Sequence, residues 1–546
     1  MKKVTIYCVV FLFSISLANA ASYFVSFTDK GASTLLKPSQ FLSQKSIDRR
    51  VKSKVEIDET DFPVYQEYIQ KIATHSEYIY LSSKWLNAMV IEASSEQISK
   101  ISQYVFVKDI RELTHKKSVI ALLKNTASNI GFCPTDFALP QLDMLNATLL
   151  HHNGYTGKGI LICLMDDGFN TVNTMSTFAH LYINQQILST WNFETNNPNL
   201  YNVGGHGTAV LSQIAGKAEG LLRGTGPDAN FLLTKTENEK ENPIEMYQWV
   251  AAAEWADSIG ADIFSTSLGY TQFDNPKYDY YYADMDGHTT PISKAAVLAA
   301  RKGILVVNSA GNEGWSPWHY ISAPADADSI LTVGAVDVNG YYIGFSSHGP
   351  TWDGRIKPDV VTMGHRNIVA TTNDILINSS GTSFSCPIMS GLAACIWQAD
   401  TTLSSFQIRD IIKQTASRAS HPDNDYGWGI PDAALAIEQI TGKKLLYPVD
   451  CSRLDPNGFL ITPNPYFKND ILSISIWEKN MPTNYTVDFY TADGRLIYTS
   501  NLNTALGLNR YPIDIANDMQ AGLYYIKILQ AGEVLKVEKL IVMVNY

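Results

Sequence analysis

Gly381-Thr382-Ser383-Phe384-Ser385-Cys386-Pro387 runs directly into an apolar stretch from Ile388 to Trp397. A small-residue turn followed by such a run reads as the start of a buried helix. The Ser383 hydroxyl then sits at a helix N-terminus, where unpaired backbone N–H groups and the helix dipole favour negative charge. An acyl-transfer nucleophile needs that setting, because negative charge develops beside it in the transition state. The same residues also describe a plain Ser/Thr cap on a core helix. What else the chain brings to this turn decides between the two.

Around it, strand and helix patterns alternate. Gly159 to Met165, Phe231 to Thr234, Asp262 to Thr266, Ile304 to Asn308 and Leu331 to Val336 are short apolar or β-branched runs. Between them, Ile244 to Ser258 and Ile292 to Lys302 read as helices, stopped by Gly260 and Gly303, and Ser405 to Ala416 follows the helix after Ser383. Strictly alternating β and α predict a doubly wound parallel sheet, an α/β fold, with ligand groups gathered at the carboxyl ends of the strands. This region spans residues 136–441. Before it, residues 22–132 mix short strands with helices at Pro63 to Thr74 and Glu96 to Ser102, a small α+β module. After a linker at 442–457, residues 458–546 carry short alternating strands separated by turns such as Ala492-Asp493-Gly494, a small all-β sandwich.

Composition bounds the function. The chain has 546 residues, long enough for roughly three or four domains. Its net charge of −11 and lack of a basic stripe exclude nucleic acid as the main partner. Lys2 and Lys3, the apolar run Val4 to Leu17 and Ala18-Asn19-Ala20 make a Sec signal peptide over residues 1–20, which predicts a protein working outside the cytoplasm. Of six cysteines, Cys8 belongs to that leader, and Cys163, Cys386 and Cys395 lie in apolar segments as core residues. Cys133 and Cys451 flank the central region and are the one pair suspected of a disulfide, since connectivity cannot be read from spacing. No Cys/His spacing matches a zinc site.

Polar groups cluster at the predicted strand ends. Asp166-Asp167-Gly168 ends the first central strand, and Gly205-His206-Gly207-Thr208 opens an apolar helix. Ser309-Ala310-Gly311-Asn312-Glu313-Gly314 ends another strand. Each has an ordinary reading as a turn or cap residue. With Ser383 they bring a carboxylate, an imidazole, an amide and a hydroxyl to the predicted strand ends, with Asp166, His206 and Ser383 in that order along the chain.

These motifs carry a resemblance. Leu164-Met165-Asp166-Asp167-Gly168, His206-Gly207-Thr208, Gly381-Thr382-Ser383 with Pro387, and Ala310-Gly311-Asn312-Glu313-Gly314 resemble the corresponding segments of the subtilisin-like serine proteases, the subtilase family. The likeness extends over roughly 136 to 440. It implies a secreted serine endopeptidase acting on polypeptide substrates, with Ser383 as nucleophile, His206 as general base, Asp166 as its orienter and Asn312 as oxyanion donor. It implies that Ser267-Leu268-Gly269 binds the substrate backbone. No metal or cofactor is needed for that chemistry. Asp284-Met285-Asp286-Gly287 reads either as a structural calcium site or as a solvated loop. Asp167 stands where the family has Ser or Thr, either tolerated or cation-binding. Phe384, Ser385 and Cys386 depart from the usual Met-Ala-Ala and are expected to alter packing rather than chemistry.

The flanking modules follow the same logic. Residues 22–132 resemble the ferredoxin-like prodomain of many subtilases, making the enzyme a zymogen with its own prodomain as partner. Thr462-Pro463-Asn464-Pro465, Leu472-Ser473-Ile474, Asp493-Gly494-Arg495 and Ala521-Gly522-Leu523-Tyr524-Tyr525 resemble the type IX secretion sorting domain of Bacteroidetes. That implies passage through outer-membrane secretion machinery, with release or retention at the cell surface, as a monomer. A binding sandwich is the alternative for this module. A catalytically silent binding protein and a transpeptidase using the same acyl-enzyme are the alternatives for the whole.

Overall fold

Strands buried on both faces need a helix layer on each side, and the central region is built that way. The computed structural model describes residues 20–114, residues 139–445 apart from 219, 239 and 240, and most of 458–543, apart from 463, 465, 468–471, 479–482, 505–506 and 514–518. Residues 1–19 of the expected leader, Cys133, Cys451, Pro463 and Pro465 fall outside the described residues. Residues up to Gly442 form one unit and Lys443 onward a second.

In the first unit a small sheet comes first. Strands β1 (Ala21–Phe27), β2 (Tyr78–Ser83), β3 (Ala88–Ala93) and β4 (Val107–Thr114) pair antiparallel in the order β2-β3-β1-β4. Helices α2 (Gln66–Ala73) and α3 (Ser95–Ile101) complete the β-α-β-β-α-β succession of ferredoxin-like modules. An additional helix, α1 (Gln44–Ser53), precedes α2. The sequence pattern missed α1 because it is rich in charge: two of its arginines, Arg49 and Arg50, are buried, which no periodicity signals.

The large sheet follows, with seven parallel strands: β5 (Leu161–Asp166), β6 (Ile187–Asn192), β7 (Asn230–Lys235), β8 (Ile263–Thr266), β9 (Leu305–Ser309), β10 (Leu331–Val336) and β11 (Val360–Met363). Their order is β11-β10-β9-β8-β5-β7-β6. The chain leaves β5 toward one edge and returns on the other side at β8, so the topological switch lies between these two strands. Alternate residues of β5, Leu161, Cys163 and Met165, join the core under α5 (Ile244–Ile259) and α6 (Pro291–Arg301). The opposite face carries α4 (His206–Ala215) and the 18-residue α7 (Thr382–Ala399). Cys163, Cys386 and Cys395 are free and buried, as expected of core thiols.

Helix α7 sits so deep that its neighbours have no side chains to spare. A Cβ on Gly391 would lie 2.1 Å from Thr225 Oγ1 and 2.7 Å from the Gly226 nitrogen. The second unit has a three-stranded and a five-stranded sheet sharing one apolar core that includes Ile474, Ile476, Val487, Phe489, Ile526 and Ile528. Its arrangement is the sandwich read from the turns.

Gly391→Ala forces the Thr225–Gly226 backbone to move. The expected result is a loss of about 1–3 kcal/mol in stability, measured by denaturant unfolding.

Candidate active site

Strand β5 ends on Asp166, whose carboxylate is 1% exposed. His206 is the first residue of α4, and its Nδ1 lies 2.7 Å from Asp166 Oδ1. The same oxygen accepts the Asp167 N–H at 2.8 Å. This close approach depends on Gly207: a Cβ there would lie 2.3 Å from the Gly168 carbonyl oxygen and 3.0 Å from Asp166 Cβ. Glycine at 207 therefore lets the helix start approach the strand end closely.

Asp167 has a structural task that its position in the sequence did not reveal. The residue before α4, Gly205, has no side chain with which to cap the helix. Asp167 supplies the cap from the neighbouring strand end, accepting the N–H groups of Gly205 at 3.2 Å, His206 at 3.3 Å and Gly207 at 3.0 Å. Among the described residues, no group of three or more His, Cys, Asp or Glu side chains is arranged to hold a metal ion. Asp284 accepts the Tyr281 N–H, and Asp286 accepts the N–H groups of His288 and Thr289, so both carboxylates serve their own turns. The nearby tyrosines are packed too: Tyr282 stacks on Tyr320 at 3.8 Å.

Ser383 is the second residue of α7, behind Gly381, whose φ of 154° suits glycine. It is half-buried, and its hydroxyl makes no hydrogen bond to His206. Such bonds are commonly long in free enzymes and tighten with substrate. The next residue along α7, Phe384, places its ring 6.1 Å from the imidazole. Asn312 is exposed, and its amide oxygen accepts both the Thr382 N–H at 2.8 Å and the Thr382 hydroxyl at 3.0 Å. With its oxygen so engaged, the Asn312 NH2 group keeps its donors for another acceptor.

Pro387 explains a further contact. It has no N–H, so the carbonyl four residues back, that of Ser383, loses its helical partner. The Ser267 hydroxyl donates to that carbonyl at 3.0 Å. Ser267 lies just beyond β8, followed by half-buried Leu268 and exposed Gly269, so the segment expected to meet substrate also braces the serine turn.

The charges around His206 act in opposite directions. Burial disfavours the imidazolium, but the Asp166 charge and hydrogen bond, with the Asp167 and Glu237 charges, outweigh it and raise the imidazole to about 9 from an ordinary 6.5. Burial pushes the Asp166 carboxyl up while the imidazolium opposes that shift. The ion pair is the direction that the 2.7 Å contact supports.

With this geometry in place, comparison with known proteins is direct. Residues 157–429 match the model of the subtilase family. The chain belongs to the subtilase family. Residues 22–128 match the peptidase S8 propeptide domain of Bacteroidota, and residues 460–543 match the secretion system C-terminal sorting domain. Among similar proteins are serine protease AprX of Bacillus subtilis, 27% identical over 314 residues, covering 52% of this chain and 67% of that protein. A thermostable alkaline protease of Halalkalibacterium halodurans is 26% identical over 346 residues, covering 63% and 84%. Subtilisin BL of Lederbergia lenta is 27% identical over 297 residues, covering 54% and 97%. This subtilase is a serine-type endopeptidase with a propeptide, and its chemistry needs no cofactor. Its sorting domain directs it through type IX secretion to the cell surface or beyond. Among the described residues, no helix is long and apolar enough to cross a membrane.

A general base must be neutral, so with His206 in that role kcat/KM should fall as pH drops through the raised imidazole value, with the acid limb above 6.5. Asp167→Asn keeps a capping oxygen but removes a negative charge that favours the imidazolium, so the limb should move to lower pH in a pH–rate profile. Ser267→Ala leaves the Ser383 carbonyl unpaired. It should lower stability by about 1–3 kcal/mol, read by denaturant unfolding, and reduce kcat/KM as well.

Proposed function

We propose that Ser383 attacks the scissile carbonyl of a polypeptide while His206 takes its proton and then returns it to the leaving amine. Asp166 holds the imidazole with Nε2 free to act and stabilises the imidazolium. The tetrahedral oxyanion is stabilised by the Asn312 amide and the Ser383 N–H at the start of α7. Water then hydrolyses the acyl-enzyme by the same proton route. The single observation carrying this reading is the 2.7 Å Asp166–His206 bond at the sheet edge where Asn312 is tied to Thr382, the residue before Ser383. The substrate backbone pairs with Ser267-Leu268-Gly269, whose Gly269 is open to solvent.

The domains divide accordingly: a propeptide over residues 22–132, a peptidase over 136–441 and a sorting domain over 458–546. The propeptide occupies the enzyme until cut, and the sorting domain engages outer-membrane secretion machinery.

Ser383→Ala should abolish both peptide hydrolysis and fluorophosphonate labelling; retained hydrolysis would assign the chemistry elsewhere. Mass analysis of products from an amine-containing reaction separates hydrolysis from transpeptidation. Removing residues 458–546 should leave active enzyme in the periplasm, detected by cell fractionation, whereas normal export of the truncated chain would make this module a binding domain.

A further inference from the structure

The N-terminal module meets the peptidase along α5, through an apolar contact of Phe24, Leu81, Val90 and Leu113 with Ile244, Tyr247 and Ala251 and, at the far end of that helix, through a network of buried charge. Helices α5 and α6 end at Ile259 and Arg301, immediately before strands β8 and β9 begin. Their C-terminal ends therefore lie at the amino edge of the sheet. Asp166, Ser267 and Asn312 lie at the carboxyl edge, about 15 Å further along the strands.

Helix C-termini present unpaired carbonyls and the negative end of the dipole. Here those groups are satisfied by the N-terminal module. Arg49 of α1 donates to the Lys302 carbonyl at 3.2 Å and to the carbonyl of Ala261, and pairs with the Asp257 carboxylate. Ser43 donates its N–H to the Ser258 carbonyl at 2.8 Å and its hydroxyl to the Ile259 carbonyl at 2.7 Å. Arg50 bridges Asp257 at 2.8 Å and Asp61 at 2.5 Å, and Lys302 returns to Asp61 at 2.8 Å. Arg49, Arg50, Asp61, Asp257 and Lys302 are each at most 3% exposed. The charges alternate across the boundary: Arg49, Arg50 and Asp61 come from the N-terminal module, Asp257 and Lys302 from the peptidase. The helix ends admit α1 closely, since a Cβ on Gly260 would lie 2.9 Å from Lys45 Cβ and one on Gly303 would lie 2.6 Å from Ser53 Oγ.

We propose that the paired ends of α5 and α6 form an exosite whose ligand is the Arg49–Arg50 helix of the propeptide. On this reading the exosite, rather than the catalytic cleft, sets how long the propeptide stays on the enzyme once the connecting chain is cut. It builds on the propeptide reading of the N-terminal module. The physical ground is asymmetry: removing one member of a buried ion network strands its partners without water, whereas an exposed pair loses little. Lys45 and Asp262 provide the internal contrast, because the Lys45 side chain is 41% exposed.

The test uses the full chain with Ser383→Ala, so that no self-cleavage occurs, and a recognition site for an exogenous protease placed between Thr114 and residue 139. After cutting, the two fragments should co-elute in gel filtration. Release is timed by exchange of a fluorescently labelled N-terminal fragment. Arg49→Ala and Asp257→Asn should each speed release on the order of 10²-fold or more. Lys45→Ala should change it by less than about 5-fold. Asp257→Asn alters only the peptidase side, so a folding defect of the N-terminal module in Arg49→Ala does not decide the outcome. Parent-like release in Asp257→Asn, or immediate separation of the cut parent, overturns the proposal. Maturation of the active chain without loss of the N-terminal module would instead overturn the propeptide reading, and the exosite measurement would stand apart from it.

Discussion

The first turn of α7 is the constraint on which the catalytic region depends. Pro387 removes one helical hydrogen bond, and the Ser267 hydroxyl takes the carbonyl thus freed on Ser383. Cys386 Sγ contacts the carbonyls of Thr266 at 3.3 Å and Val307 at 3.5 Å, and Thr362 donates to the Ser385 carbonyl at 2.9 Å. The helix start is thus fastened to β8, β9 and β11, and Ser383 is oriented by the sheet itself. Its departures from the family pattern, Phe384 to Cys386, bear on this fastening. Phe384 packs with Ala209 of α4, linking the serine helix to the histidine helix.

A second fastening acts through charge. Asp166 and Asp167 leave the same strand end, one to the imidazole and one to the backbone N–H groups beneath it. Two adjacent carboxylates are tolerable because their partners differ: one faces a basic ring, the other the positive end of α4. The arrangement favours the imidazolium, which places the working range of the base toward alkaline pH.

The parallel sheet keeps two functions apart. Its carboxyl edge gathers the proposed catalytic groups, where the strand order reverses. Its amino edge, where α5 and α6 end, gathers the buried ions that hold the N-terminal module. Cleft and anchor can therefore change independently, which a single shared surface would not allow.

Much was legible in the residues alone. Alternating apolar runs with glycine stops announced the α/β sheet, because strands and helices bury side chains with different periods. Asp166, His206, Asn312 and Ser383 stood out as candidates because each lies in a turn beside a strong apolar segment, and their order along the chain is distinctive. Strand β6 was missed, since only Asn192 among its residues is buried. Helix α1 was missed because its buried side chains are arginines. The cap formed by Asp167, the Ser267–Ser383 bond and the Arg49–Asp257 network join residues 38, 116 and 208 positions apart. Local pattern determines which elements form and which residues end them. Only packing decides which partner a polar side chain meets, because burial makes that partner obligatory and the sequence does not record what is near in space.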